Sequence, residues 1–173
     1  NVGRGLYKVL DCAPSWHQDA ALAVFSCGKD ALLSHESALM NLGLLNTDLG
    51  NKWRKRRTIG DRKKIHVVSS RNSRYCSGSF FHSSSIFHYE SIHIEHNNLP
   101  QVSTSRAIVD CAQQLTMNEL DYILQKAFEL KLSSPTDLKS EILNLHTGPG
   151  REKVKLKELL IPYLDGDKFS RTE

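Results

Sequence analysis

The densest group of side chains that could do chemistry is a basic segment, residues 52–64. It holds eight cations and one carboxylate, Asp61, for a net charge of +7, whereas the whole 173-residue chain carries +4. Cations at this spacing can neutralise phosphates and release condensed counterions, and Trp53 could stack on a base. The candidate DNA-binding residues are Lys52, Arg54, Lys55, Arg56, Arg57, Arg62, Lys63 and Lys64. The alternative is a solvated loop whose charge only aids solubility.

Histidines in the middle of the chain raise the question of a metal site. His93 and His96 are three residues apart, with His82 and His88 nearby. A zinc site needs three or four ligands at about 2.0–2.3 Å, but residues three apart on a strand point to opposite faces of the sheet. We therefore predict histidines on a strand surface, with no metal site and no cofactor.

The sequence carries no pattern typical of an enzyme. It has no Gly-x-Ser-x-Gly motif, and residues 148–153 lack the glycine spacing of a phosphate loop. Cys76 lies near basic residues but is interpreted as a loop thiol rather than a nucleophile. The four cysteines include no Cys-x-x-Cys pair, and we interpret them as reduced cytosolic thiols, with Cys27 and Cys111 on apolar helix faces.

Arg106 and Asp110 are four residues apart on a predicted helix. This spacing favours a local ion pair worth a few tenths of a kcal/mol. The alternative is that Arg106 is exposed near the helix start and meets a partner protein. In both cases we expect Arg106 and Asp110 on the outer face of the helix, while its apolar stripe packs on the central strands.

Helix caps and apolar spacing predict the elements that position these residues. Five helices are predicted from their N-caps, which are Ser15, Ser34, Ser103, Thr116 and Ser134. A sixth helix is predicted over 152–164. Short strands are predicted over four stretches: 5–10, 65–68, 79–82 and 91–95. Segregated helices and strands favour an α+β fold. We expect a small mixed or antiparallel sheet of about four strands packed with about six helices. No apolar run in the sequence reaches the roughly 20 residues that a membrane-spanning helix needs.

Four stretches of the chain carry the motifs of one family. They are Arg-Gly-Leu-Tyr-Lys-Val at 4–9, Ser-His-Glu-Ser-Ala at 34–38, Ile-His-Val-Val at 65–68, and the segment 99–112, which begins Leu-Pro. With these motifs the chain resembles the AbiEi-type antitoxins of type IV toxin–antitoxin systems, and it is most similar to their actinobacterial branch. Thr104 stands where the family has Pro, which leaves the capping role predicted for Ser103 intact.

The resemblance implies a domain organisation and a function. Residues 1–10 would end an N-terminal winged helix-turn-helix, 11–145 would form the antitoxin-type domain, and 146–173 would supply a C-terminal helix and a linker towards a further domain. The implied function is a cytoplasmic, non-enzymatic repressor module that represses its own gene through the winged helix and neutralises a toxin protein through the following domain. From its charge, the basic segment is expected to add DNA contact without sequence preference.

Two alternatives to the antitoxin interpretation stay open. Family members are often fused to an endonuclease resembling very-short-patch-repair nucleases, so the chain could be the recognition part of a nuclease whose catalytic domain lies beyond Glu173. The other alternative is a protein–protein scaffold with no role in nucleic-acid binding. The sequence leaves the oligomeric state open.

Overall fold

The computed structural model describes residues 15–45, 65–69, 79–83, 93–145 and 153–165, in two compact units that divide after Ser103. These residues form six helices and a mixed sheet of five strands. The predicted α+β fold is thereby confirmed, with one strand more than expected. In chain order the elements are α1 (Trp16–Cys27), β1 (Leu32–Leu33), α2 (His35–Asn41), β2 (Ile65–Ser69), β3 (Ser79–Ser83), β4 (His93–His96), β5 (Leu99–Val102), α3 (Thr104–Cys111), α4 (Met117–Glu129), α5 (Pro135–Asn144) and α6 (Lys153–Leu164).

The first unit is built on the sheet, whose strand order is β3-β2-β1-β5-β4. The β2–β3 and β1–β5 pairs are parallel, and the β1–β2 and β4–β5 pairs are antiparallel. The helix α1 packs on β1, β2 and β5, and α2 packs on β2. The predicted strands at 65–68, 79–82 and 91–95 correspond to β2, β3 and β4, whereas the predicted strand over 5–10 lies outside the described residues.

The helix α1 begins directly after Ser15, the N-cap that the sequence predicts. The Ser15 hydroxyl accepts a hydrogen bond from the Gln18 backbone N–H at 3.2 Å, and Gly28 ends the helix at φ 113° and ψ 173°. Gln18 stands three residues after Ser15, where a capping-box partner would stand, but its Oε1 is buried without a hydrogen bond, so the box is incomplete. The buried face of the helix consists of Ala20, Ala23, Val24 and Cys27.

The start of α2 differs from the prediction. Ser34 occupies the N-cap position, but its side chain makes no capping hydrogen bond. Its hydroxyl instead lies 3.1 Å from Nδ1 of His35, whose φ of 50° is uncommon for a residue other than glycine. The first turn is held by β2, because the Ser34 N–H donates to the carbonyl oxygen of His66 at 3.0 Å.

A tight turn joins β4 to β5. Asn97 and Asn98 have φ values of 51° and 58°, as a two-residue type I′ hairpin turn requires. Side-chain amides tie this hairpin to α2: Asn41 Nδ2 donates to the His96 carbonyl at 2.9 Å and to Gln101 Oε1 at 2.6 Å. Asn97 Nδ2 donates to the Asn41 carbonyl at 3.0 Å.

The described residues of the second unit form four helices and no strand, and two of the predicted caps are confirmed. The Thr116 side chain accepts from the Glu119 backbone, and the Glu119 carboxylate accepts from the Thr116 N–H, which completes a capping box. Ser134 and Asp137 form a second box before α5, with Pro135 at its start. The predicted sixth helix is present as α6.

Helix packing closes the core of the second unit. The helix α3 contacts α4 and α5, and α6 contacts the same two helices. Between α4 and α6, the Phe128 and Tyr163 rings meet edge to face with centroids 5.0 Å apart. The residues fully enclosed at the centre are Ile108, Leu115, Leu120, Ile123, Leu124, Leu138 and Leu156. Across the described ranges, no helix is long and apolar enough to cross a membrane.

Candidate functional site

All eight candidate DNA-binding residues of the basic segment lie outside the described residues. The segment joins α2 to β2, and β2 begins at Ile65. Because β2 and β3 run parallel, their amino-terminal ends lie side by side, with Ile65 opposite Ser79. DNA binding by the basic segment therefore stays a prediction that rests on charge and spacing.

The second set of predicted site residues, Arg106 and Asp110, is placed wrongly by the sequence interpretation. Their side chains are only 3% and 4% exposed, and Arg106 Nε donates to Asp110 Oδ2 at 2.8 Å. The Arg106 NH1 nitrogen also lies 3.7 Å from Glu141 Oε1 on α5. All eight residues of α3 are buried, so α3 has no outer face. The ion pair within α3 is confirmed, and the contact of Arg106 with Glu141 links α3 to α5. Both residues of the pair are buried and offer no surface to a partner.

The structure instead brings together three histidines that are far apart in the sequence: His35, His66 and His82. One ring nitrogen from each lies within 4.8 Å of the corresponding nitrogens of the other two. Nδ1 of His66 and Nε2 of His82 are 3.0 Å apart. The rings of His35 and His82 are stacked, with centroids 3.8 Å apart and planes inclined by 16°. We call these three residues the histidine cluster.

Backbone pairing places the cluster. The parallel register sets His66 opposite Phe80 and Val68 opposite His82, and side chains two residues apart on a strand share a face of the sheet. His66 and His82 are therefore diagonal neighbours on one face. The His66 backbone reaches α2 twice: its N–H donates to Ser37 Oγ at 2.9 Å, and its carbonyl accepts from the Ser34 N–H.

The cluster combines a buried ring with two more accessible ones. His66 is 3% exposed, whereas His35 and His82 are half-buried. Phe80, which is 40% exposed, lies over both strand histidines, with ring centroids 5.3 Å from His66 and 5.0 Å from His82. Among the described strands, β3 is the outermost of the sheet, and its His82 is partly exposed to solvent.

The contact between His66 and His82 has a defined chemistry. The ring planes are inclined by 20° and the centroids are 5.2 Å apart, so the facing nitrogens meet edge to edge. Such a contact needs one N–H donor and one lone pair. Nδ1 of His66 and Nε2 of His82 can therefore share one proton. Alternatively, the proton can leave, and the lone pairs of both nitrogens can bind a metal ion.

Spacing along the chain could not reveal this cluster. His66 and His82 come together only through the β2–β3 register, and His35 joins them because α2 is hydrogen-bonded to β2. The histidine pair considered from the sequence, His93 and His96, lies within β4, and His88 lies outside the described residues. The sequence does hold one indication of the cluster: two predicted strands each contain a histidine, and parallel pairing of these strands can bring the two histidines together.

The two helix cysteines occupy the environments predicted for them. Cys27 is 5% exposed on α1, and Cys111 is fully buried on α3. The Cys27 sulfur lies 3.8 Å from Ser79 Oγ. Burial among apolar side chains is consistent with a packing role for both thiols; Cys12 and Cys76 lie outside the described residues.

Comparison of the chain with protein-family models, with curated proteins and with solved structures finds no match in any of the three.

Proposed function

We propose that this chain is a non-enzymatic regulatory module of the AbiEi antitoxin kind, which binds DNA through the basic segment and acts in the cytoplasm. The observation that carries the proposal is the concentration of eight cations within residues 52–64. A segment of this composition can neutralise several phosphates at once, and each neutralised phosphate adds a salt-dependent increment of affinity. DNA binding of this kind is electrostatic and independent of base sequence.

The place of the family-like motifs in the fold supports this proposal. The motif at 34–38 opens α2, the motif at 65–68 forms most of β2, and the segment 99–112 supplies β5 and α3. The basic segment is thus bounded by two elements that carry the resemblance. The charge of the segment supports the proposed contact with DNA.

The proposed toxin partner rests on the resemblance alone. Arg106 and Asp110 were the residues assigned to a partner surface, and their burial removes them from that role. The experiments below therefore concern the DNA-binding part of the proposal.

Fluorescence anisotropy with a labelled DNA duplex tests the proposal. The test variant replaces Arg54, Lys55, Arg56 and Arg57 with Gln, and the control replaces four exposed lysines elsewhere: Lys29, Lys131, Lys139 and Lys157. Both variants lose four positive charges, so a general effect of net charge would weaken binding equally. We expect at least a tenfold weaker affinity for the test variant than for the control at low salt, because only the test variant loses clustered phosphate contacts.

Equal affinities of the two variants would contradict the proposal, as would the absence of DNA binding by the unmodified chain. Incubation of the same protein with plasmid DNA and Mg²⁺ provides a second readout. We expect no cleavage by this chain. Metal-dependent cleavage that persists through purification would contradict the non-enzymatic part of the proposal.

A further inference from the structure

We propose that His35, His66 and His82 form a binding site for a divalent transition-metal ion, with Zn²⁺ as the best fit. The inference is independent of the DNA-binding function, because it uses none of the residues of the basic segment. It rests on the geometry of the three rings, on the hydrogen-bonded anchoring of α2 to β2, and on the partial exposure of His35 and His82.

The spacing of the nitrogens is close to that of a coordination shell. Two nitrogens bound at about 2.0–2.1 Å to a tetrahedral zinc ion lie roughly 3.3 Å apart. Nδ1 of His66 and Nε2 of His82 are already 3.0 Å apart, and the cluster as a whole spans no more than 4.8 Å between ligand atoms. The distance between the two nitrogens thus already fits, but each ring must turn by roughly 35° so that its lone pair points to a shared ion instead of to the other nitrogen.

His35 needs a larger adjustment than the other two. Its ring is stacked on that of His82 with nearly parallel planes, whereas a lone pair lies in the plane of its own ring. The two stacked rings cannot both direct lone pairs to one ion, so metal binding must turn the His35 ring out of the stack. The half-buried position of His35 leaves this ring more accessible than that of His66.

Ser34 supplies the outer-shell contact that a metal-binding histidine normally has. Its hydroxyl is fully buried and lies 3.1 Å from Nδ1 of His35. A histidine ligand usually donates its second ring N–H to a neighbouring oxygen, which fixes the tautomer and the ring orientation. If Nδ1–H of His35 donates to Ser34 Oγ, the lone pair is on Nε2. This contact also gives a role to a serine at an N-cap position that does not cap its helix.

The ligand set determines the class of metal. Three imidazoles suit zinc, copper or nickel, whereas magnesium and calcium prefer carboxylate, carbonyl and water oxygens. Three protein ligands around zinc leave a fourth position for water. In the chain, a bound ion would connect the first turn of α2 to both β2 and β3.

Titration of the full chain with Zn²⁺ by isothermal calorimetry, and with Co²⁺ followed by visible absorption, tests the proposal. We expect one ion per chain, the visible bands of four-coordinate Co²⁺, a higher Tm with Zn²⁺, and no effect of Mg²⁺ or Ca²⁺. His82→Gln and His35→Asn each remove one ligand, and Asn tolerates the positive φ at residue 35. Each should weaken Zn²⁺ binding by more than the roughly 10- to 100-fold cost of losing an outer-shell partner.

Two further variants separate the cluster from other sites and from general structural effects. Ser34→Ala keeps the backbone contacts and removes only the hydroxyl, so we expect a 10- to 100-fold loss of Zn²⁺ affinity. His17→Gln alters an exposed histidine on α1 and should leave affinity unchanged. Failure to bind Zn²⁺ at micromolar concentration would overturn the proposal. So would unchanged affinity in folded His82→Gln and His35→Asn variants, which would place the ion elsewhere.

Discussion

Arg106 Nε lies 2.8 Å from Asp110 Oδ2 within a helix whose residues are all buried. The same spacing on an exposed helix would contribute only a few tenths of a kcal/mol. Burial changes the energetics, because removing one member of a buried pair leaves an uncompensated charge that cannot reach water. Glu141 on α5, 3.7 Å from the guanidinium, extends the pair between two helices.

We therefore predict that Arg106→Ala lowers the free energy of unfolding by about 3–5 kcal/mol. Urea denaturation followed by circular dichroism measures this loss. Lys126→Ala is the matched control, since Lys126 and Glu129 form an ion pair of similar length, 2.9 Å, at the surface. The control should change stability little because solvent screens the exposed pair. Similar small losses in both variants would show that burial of Arg106 does not matter.

The capping box at the start of α4 predicts a second measurable effect. Thr116→Ala removes the hydroxyl that accepts from the Glu119 N–H at 3.3 Å and donates to Glu119 Oε2 at 2.8 Å. We expect a loss of about 1 kcal/mol in unfolding free energy. Thr116→Ser retains the hydroxyl and should retain most of the stability. Equal losses for Ala and Ser would mean that the hydroxyl is not the stabilising group.

The two described glycines with positive φ should differ in their tolerance of a side chain. Gly28, at φ 113° and ψ 173°, occupies a backbone region that is essentially restricted to glycine. Gly43 has φ 72°, which is closer to the left-handed region that Asn tolerates. Neither position has a neighbour within 4 Å of an added Cβ, so backbone strain alone sets the cost.

We predict that Gly28→Ala costs about 1–3 kcal/mol and that Gly43→Asn costs less. Thermal and urea unfolding of the two variants, measured side by side, test this order. A larger loss for Gly43→Asn than for Gly28→Ala would contradict the backbone account of both positions.

The hairpin between β4 and β5 provides a fourth test. Asn98 is exposed and has φ 58°, so glycine should replace it with little change or a small gain in stability. Valine at the same position should cost about 1–2 kcal/mol, because a β-branched residue strongly disfavours positive φ. Equal stability of Asn98→Gly and Asn98→Val would rule out the type I′ turn.

Local sequence signals predict the helices well and the sheet only in part. Hydroxyl caps followed by Glu or Asp, as at Thr116 and Ser134, are short-range patterns, and the structure confirms them. The strand β1 was not predicted because two residues carry no periodicity. The strand β5 was missed because Pro100 argues against an interior strand. Pro100 pairs with Glu95, and the next pair along, His96–Leu99, closes the turn. Residue pairs in an antiparallel ladder alternate between those that exchange backbone hydrogen bonds and those that do not. The Glu95–Pro100 pair is of the second kind, so the β4–β5 ladder tolerates a proline there.

Long-range contacts explain the remaining differences. Whether Arg106 is buried depends on where α5 packs, and no pattern within residues 104–111 contains that information. The histidine cluster likewise depends on the parallel register of β2 and β3 and on the anchoring of α2. Amphipathic spacing predicts that a helix has a buried face, but it does not predict that α3 is enclosed on all sides.

The salt dependence of DNA binding tests the central functional claim most directly. If the basic segment contacts phosphates, log K should fall linearly with log salt, and removing Arg54, Lys55, Arg56 and Arg57 should make the slope shallower by about three to four units. The control variant lacking four exposed lysines outside the segment should keep the slope of the unmodified chain. An unchanged slope after loss of the four segment cations would contradict the account and would identify the segment as a solvated loop.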